Sequence, residues 1–182
     1  AMAAEEEERV LRELSLAVAG RAEALRRDLG VLSALDLLEA QARLASELDA
    51  GAPEVCAPAD GFALRDLRHP LLVLQGKKVV ASDVVLEPPR LALVVSGPNG
   101  GGKTVAVTAV GLCAVMLRAG LPVPAARGSR LPCYALVRAA VDERGDLERD
   151  LSTFTAHLAA VREMAESAGP GSLVLVDEIA AD

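Results

Sequence analysis

The stretch LALVVSGPNGGGKT, residues Leu91–Thr104, decides how the rest of this chain is read. Its second half, Gly97–Thr104, fits G-x-x-x-x-G-K-[ST], a loop whose backbone cradles phosphate. Leu91–Val95 is apolar and partly β-branched, as a buried parallel strand should be. Val105–Leu117 is apolar enough for a helix lying on a sheet. Gly97, Gly100, Gly101 and Gly102 let the backbone curl until its N–H groups face a polyphosphate. Lys103 is expected to reach the β- and γ-phosphates, and the Thr104 hydroxyl to ligate Mg²⁺. The helix N-terminus adds a partial positive charge behind the anion. A chance glycine turn before a core helix is the competing reading, but it leaves the order strand, loop, helix unexplained. The stretch is expected to hold a nucleoside triphosphate.

A second signal lies near the end of the chain. Leu173–Val176 (LVLV) is an apolar strand pattern that runs into Asp177-Glu178, the Walker B arrangement. Asp177 is expected to hold Mg²⁺ through water, and Glu178 to orient or polarise an attacking water. Alone, an apolar strand ending in two carboxylates is a weak signal. Together with the glycine loop it points to one nucleotide site.

Composition sets the frame. The 182 residues are 52% hydrophobic but only 2% aromatic, with no Trp. Ala, Leu and Val must therefore fill the interior of one α/β core with a helical extension. So few aromatics argue against a stacking platform for single-stranded nucleic acid. A formal charge of −7 gives no general attraction to DNA or RNA. Cys56, Cys113 and Cys133 are scattered, with no CxxC, so neither a disulfide framework nor a zinc site is expected. Cys113, in the apolar helix, reads as a buried thiol. The acidic start Glu5–Glu8 is unlike a signal peptide, and no apolar run reaches the length of a membrane span. A soluble, cytoplasmic protein without membrane partners is the expectation.

From Glu5 to Leu29, Leu11, Leu14, Val18, Ala22, Leu25 and Leu29 recur at spacings of three and four, one stripe of a long helix. Gly30 is the expected terminator. Ser33 is the expected cap of a second helix, Ala34–Leu48, packed antiparallel on the first. Gly51–Gly61 reads as a linker. Pro70, within RHPLL at Arg68–Leu72, speaks against a regular helix at that point. Val79–Leu86 reads as a short strand pair, and Leu131–Val141 as another strand. Asp142–Asp150 is a charged loop. Ser152 or Thr153 opens an amphipathic helix, and Gly169-Pro170-Gly171 ends it.

Taken together, GPNGGGKT at Gly97–Thr104, LSTFTAH at Leu151–His157, LVLVDE at Leu173–Glu178, RHPLL at Arg68–Leu72 and GLCAVMLRAGLPVPA at Gly111–Ala125 resemble the ATPase core of the bacterial MutS superfamily. They are most similar to its type II branch, which carries a Smr nuclease domain. The resemblance covers essentially the whole chain. It implies an α/β P-loop (ABC-like) ATPase core with a mainly parallel sheet, residues 51–182 cut short after Walker B. An α-helical hairpin, residues 1–50, would precede it as helical core or lever base.

The resemblance also implies ATP or ADP with Mg²⁺ as cofactors. Gly97, Pro98, Asn99, Gly100, Gly101, Gly102, Lys103, Thr104 and Val105 would hold the nucleotide, with His69 near it. Thr104 and Asp177 would hold the metal, and Glu178 would be catalytic. Two ATPase domains would sandwich nucleotide in a homodimer, where Ser152 reaches the γ-phosphate bound in the partner. The parent protein would act on branched DNA, suppressing recombination, or on stalled ribosomes and their rRNA, through regions mostly outside this chain. Its endonuclease would lie outside too. Two departures stand out: Gly100 where the family commonly has Thr or Met, and Ile179-Ala180-Ala181-Asp182 after the Walker B carboxylates. A chain stopping at Asp182 is expected to hydrolyse ATP slowly, and one extended past it to do so faster and in a concentration-dependent way. Two other functions compete: a nucleotide-gated dimerisation scaffold with little turnover, and an ABC-type transport ATPase. The second lacks LSGGQ-like glycines before Leu151.

Overall fold

The computed structural model describes residues 2–98, 100–141 and 151–177, apart from the side chains of 151–157. In order these form α1 (Met2–Ala19), α2 (Ala22–Leu48), β1 (Glu54–Cys56), a 3-10 turn (Pro58–Asp60) and β2 (Phe62–Leu67). Then come α3 (Pro70–Leu74), β3 (Ser82–Leu86), α4 (Lys103–Arg118), β4 (Arg130–Pro132), β5 (Leu136–Ala140), α5 (Leu151–Ser167) and β6 (Ser172–Val176). The chain divides into two compact units, Ala1–Ala42 and Arg43–Asp182, the division falling inside α2.

The first unit is not the expected hairpin. Gly30 and Ser33 lie inside α2, because one glycine costs only about 1 kcal/mol against alanine and its neighbours are good helix formers. The interruption comes earlier, at Gly20 and Arg21. There the Gly20 N–H still reaches Leu16 O at 3.0 Å, and the Arg21 N–H reaches Val18 O at 3.0 Å. Surface ion pairs such as Arg9 with Glu13, 2.7 Å and four residues apart, run along α1. The apolar stripe finds no cover within the described residues of this unit: Leu11, Leu14, Leu25 and Leu29 are between 52% and 64% exposed.

In the second unit the strands form two sheets rather than one mainly parallel sheet. The first has the order β1-β4-β2-β3, with β1 parallel to β4 and the other pairs antiparallel. The second is a parallel pair, β5 and β6, in register from Leu136 opposite Ser172 to Ala140 opposite Val176. The run expected as one strand over Leu131–Val141 is therefore split between sheets, with Tyr134 at the passage. Val79–Leu86 gives a single strand, β3, whose partner is β2. The linker expected at Gly51–Gly61 holds β1 and the 3-10 turn.

Pro70 starts α3 instead of preventing it. At the first helical position the missing N–H is one that no helical carbonyl would have accepted, and the ring presets φ.

Leu91–Val95 departs furthest from expectation. The segment forms no strand, with Leu91 95% and Val94 86% exposed. A buried parallel strand needs a ladder beside it, and among the described residues β6 pairs only with β5.

One core joins both sheets through α4. Ala109, Val110, Cys113 and Ala114 line a single face of that helix. They meet Phe62, Leu64 and Leu67 from β2, Leu131 from β4, and Leu173 and Leu175 from β6. A bulge keeps β2 in phase. The register shifts between Leu64 and Leu67, where Asp66 takes a positive φ of 46°. Asp83 ties that bulge, accepting from the Asp66 N–H at 3.0 Å and from Arg65 at 2.8 Å. One extra residue thus returns Leu67 to the core face.

Two predictions follow from the packing. Gly61 sits at φ 69° and ψ −159°, a region essentially reserved for glycine. A Cβ there would lie 1.9 Å from Leu86 O on β3. Gly61→Ala is expected to lower stability by about 2–4 kcal/mol, from backbone strain and a displaced strand, read as a fall in the urea midpoint. The thiols should also label in a fixed order. Cys113 is fully buried, which pushes its pKa up to about 12, Cys56 is partly buried and raised, and Cys133 is exposed. Iodoacetamide at pH 8 should modify Cys133 first and Cys113 only on unfolding, a sequence that mass spectrometry reads directly.

Candidate nucleotide-binding site

The loop and α4 are joined by glycines in left-handed conformation. Gly102, the residue capping α4, and Gly100 both have φ 84°, where a side chain is strained. The Gly101 N–H closes a turn on Pro98 O at 3.1 Å. Lys103 then folds back over the turn. Its Nζ donates to Gly97 O at 2.6 Å and to Pro98 O at 3.3 Å. The ammonium thus lies against the loop's own carbonyls, at the start of a helix whose first N–H groups have no helical acceptor. Thr104 is partly buried in the first turn, and Val105 beside it is exposed.

Two contacts fix the direction of α4 over β5 and β6. At its C-terminal end, Arg118 donates to Ala135 O at 2.8 Å, just before β5 begins. Seven residues earlier, Gly111 lies so close to β6 that a Cβ would stand 2.4 Å from Leu175 Cδ1. Leu175 pairs with Ala139, near the far end of both strands. The helix therefore runs antiparallel to the two strands, and its N-terminus lies toward their C-terminal edge. Lys103 and Thr104 are about 10 Å further along the helix than Gly111 at 1.5 Å per residue. Asp177 follows β6 at that same edge. It is 7% exposed, and its N–H bonds Ala140 O at 2.8 Å.

His69 takes a place of its own. It caps α3, its Nδ1 accepting from the Leu72 N–H at 3.4 Å. Its Nε2 lies 3.2 Å from Thr108 Oγ1 on α4, so both ring nitrogens are engaged within the protein. Burial holds the imidazole below its ordinary pKa. Thr108 is absent from the candidates drawn from sequence, where its only signal is a hydroxyl one turn beyond Thr104 in an apolar helix. Ser152 is the second residue of α5, and its side chain is not among those described. Asn99, Glu178 and the charged loop Asp142–Asp150 lie outside the described residues.

The donors that share this edge are a hydroxyl, Thr104, and a carboxylate, Asp177. Hard oxygen donors of this kind suit Mg²⁺, which usually keeps waters and substrate phosphates besides one or two protein ligands. Among the described residues no group of three or more His, Cys, Asp or Glu is gathered for a metal, and a site of this type needs none. No helix among them is long and apolar enough to cross a membrane. A cleft of about 480 Å³ between Asp49, Asp66, Arg68 and Arg127 contains none of the expected site residues.

Comparison with known proteins identifies the family. Residues 93–181 match the model of MutS domain V. Over its full length the chain is 68% identical to endonuclease MutS2 of Anaeromyxobacter sp. (strain Fw109-5), of which it covers 24%. Over 99% of its length it is 43% identical to endonuclease MutS2 of Pelotomaculum thermopropionicum, covering 23% of that protein. Over 96% it is 40% identical to endonuclease MutS2 of Gemmatimonas aurantiaca, covering 21%. The chain thus spans about a quarter of the length of these relatives. With the glycine loop, β6 and the helices before them all inside the aligned region, the chain belongs to the type II branch, MutS2, of the MutS superfamily.

Proposed function

We propose that this chain is the ATP-binding and ATP-hydrolysing module of a MutS2-type protein, built on a P-loop, ABC-like ATPase core. One observation carries the reading: the loop–α4 junction, with its left-handed glycines and Lys103, stands at the sheet edge that holds the buried carboxylate of Asp177. The N–H groups from Gly97 to Thr104 cradle the phosphates, and Lys103 adds the positive charge. Thr104 and Asp177 hold Mg²⁺, which when bound neutralises charge on the phosphates. Glu178 orients water for attack on the γ-phosphate. Ser152, at the start of α5, completes the site across a homodimer.

The DNA or ribosome target belongs to the rest of such a protein. So does the nuclease that the relatives' name describes, because the groups gathered at this site handle phosphoanhydride rather than nucleic acid. A cytoplasmic setting fits these partners.

Titration calorimetry tests the reading. The chain is expected to bind ATP or ADP with Mg²⁺. Lys103→Ala should lose roughly 1.5–3 kcal/mol, the range for a charged hydrogen bond. An unchanged affinity would refute the assignment. Turnover should be slow, rise with protein concentration, and vanish in Glu178→Gln; fast turnover independent of concentration would exclude a site shared between two copies.

A further inference from the structure

We propose that His69 is a positioning residue for the nucleotide loop, acting through Thr108 on the Thr104 turn of α4 without touching the nucleotide. This rests on the nucleotide-binding reading above and adds to it a residue from a separate element. The hydrogen bonds run in one direction. The Leu72 N–H donates to His69 Nδ1 at 3.4 Å, so that nitrogen carries no proton. The neutral ring then holds its proton on Nε2, and Nε2 donates to Thr108 Oγ1 at 3.2 Å. The Thr108 hydroxyl in turn donates to Thr104 O at 2.7 Å.

The direction has a consequence for α4. Left to itself the Thr108 hydroxyl has two acceptors, Thr104 O at 2.7 Å and Val105 O at 3.2 Å. A donor arriving at its lone pair from His69 fixes which way the hydroxyl points. The nearer carbonyl belongs to Thr104, the residue that follows Lys103. The peptide plane leaving Thr104 is thereby tied to α3, whose His69 stands 39 residues before Thr108 in sequence. A doubly protonated ring has no acceptor for the Leu72 N–H, so the chain of bonds exists only with His69 neutral. Burial favours that same form.

Substitutions can separate the two jobs of the ring. Asn at position 69 keeps an acceptor near Nδ1 and so keeps the cap, but it does not reach Thr108. Gln at 69 places an N–H₂ near Nε2 and gives up the cap. Thr108→Val removes the hydroxyl at constant shape, and Thr108→Ser keeps it.

Calorimetry with Mg²⁺ and ADP on the 182-residue chain reads the outcome, with thermal unfolding followed alongside. His69→Asn and Thr108→Val should each weaken binding about two- to tenfold, the range of one net hydrogen bond. The double variant should be no weaker than either single, since both remove one linkage. Thr108→Ser and His69→Gln should keep most of the affinity, although His69→Gln melts earlier. If affinity instead follows the cap, lost in His69→Gln and kept in His69→Asn, the role is structural and the proposal fails. It fails as well if the losses in His69→Asn and Thr108→Val multiply in the double variant. Binding lost in Lys103→Ala but unchanged in His69→Asn overturns this inference alone. No binding by the unsubstituted chain overturns the nucleotide reading and this inference with it.

Discussion

The close approach of α4 to β6 is the contact on which the rest of the second unit depends. Gly111 faces Leu175 with no room for even a methyl group, and the buried face around it is Ala109, Val110, Cys113 and Ala114. Small side chains let the helix axis sink toward the strands. Close-packed interiors respond to a single added methylene, so this face fixes both the depth and the direction of α4. The direction in turn carries the loop to the edge where Asp177 ends β6. A bulkier face would still make a helix and a core, but it would lift Lys103 and Thr104 away from that carboxylate. Site geometry here is a consequence of packing two turns away.

The same helix explains how two small sheets share one interior. Neither the β5–β6 pair nor the four-stranded sheet with its three-residue edge strand β1 buries its apolar side alone. Both lay that side on α4: Leu173 and Leu175 from one sheet, Phe62, Leu64 and Leu131 from the other. Two of the three aromatic residues, Phe62 and Tyr134, are in this shared core, which concentrates scarce bulk where α4 needs filling. Among the described residues, apolar side chains elsewhere are exposed, along α1 and α2 and over Leu91–Val95.

How far the sequence could be read follows from which signals are local. The loop, α4, α5 and β6 are local patterns: glycine spacing, helical periodicity and a short β-branched run, each visible within a dozen residues. Family membership was legible for the same reason, from a few short motifs. What was missed depends on partners distant in sequence. Leu91–Val95 has the composition of a central strand, but strand formation requires a neighbouring ladder, and composition does not say whether one is present. Leu131–Val141 reads as one apolar run because nothing in Cys133–Ala135 marks it as a passage between sheets. Gly30 looked like a helix end because glycine does end helices, yet its penalty is small beside the good formers around it. Pro70 was misjudged through position: the residue that breaks a helix interior also begins one. Among the candidate site residues, Asp177 and Lys103 stand out by type and spacing, whereas Thr108 has meaning only beside His69.

The loop's resting contacts bear on how tightly it can hold an anion. The Lys103 ammonium rests on two neutral carbonyls, Gly97 O and Pro98 O. A phosphate offers charged oxygens, and hydrogen bonds between charged partners are roughly twice as strong as neutral ones. The gain on exchange is the difference between the two sets of bonds, not the full strength of the second. In return, the carbonyl contacts keep a long, rotamer-rich side chain near the loop before any ligand arrives, which reduces the ordering cost at binding. The left-handed glycines do the same for the backbone, since Gly100 and Gly102 already occupy conformations that other residues resist. A loop shaped in advance on one side by α4, with its lysine already held close, has less left to order when an anion binds. Its affinity is then set largely by how firmly the first turn of α4 is kept in place.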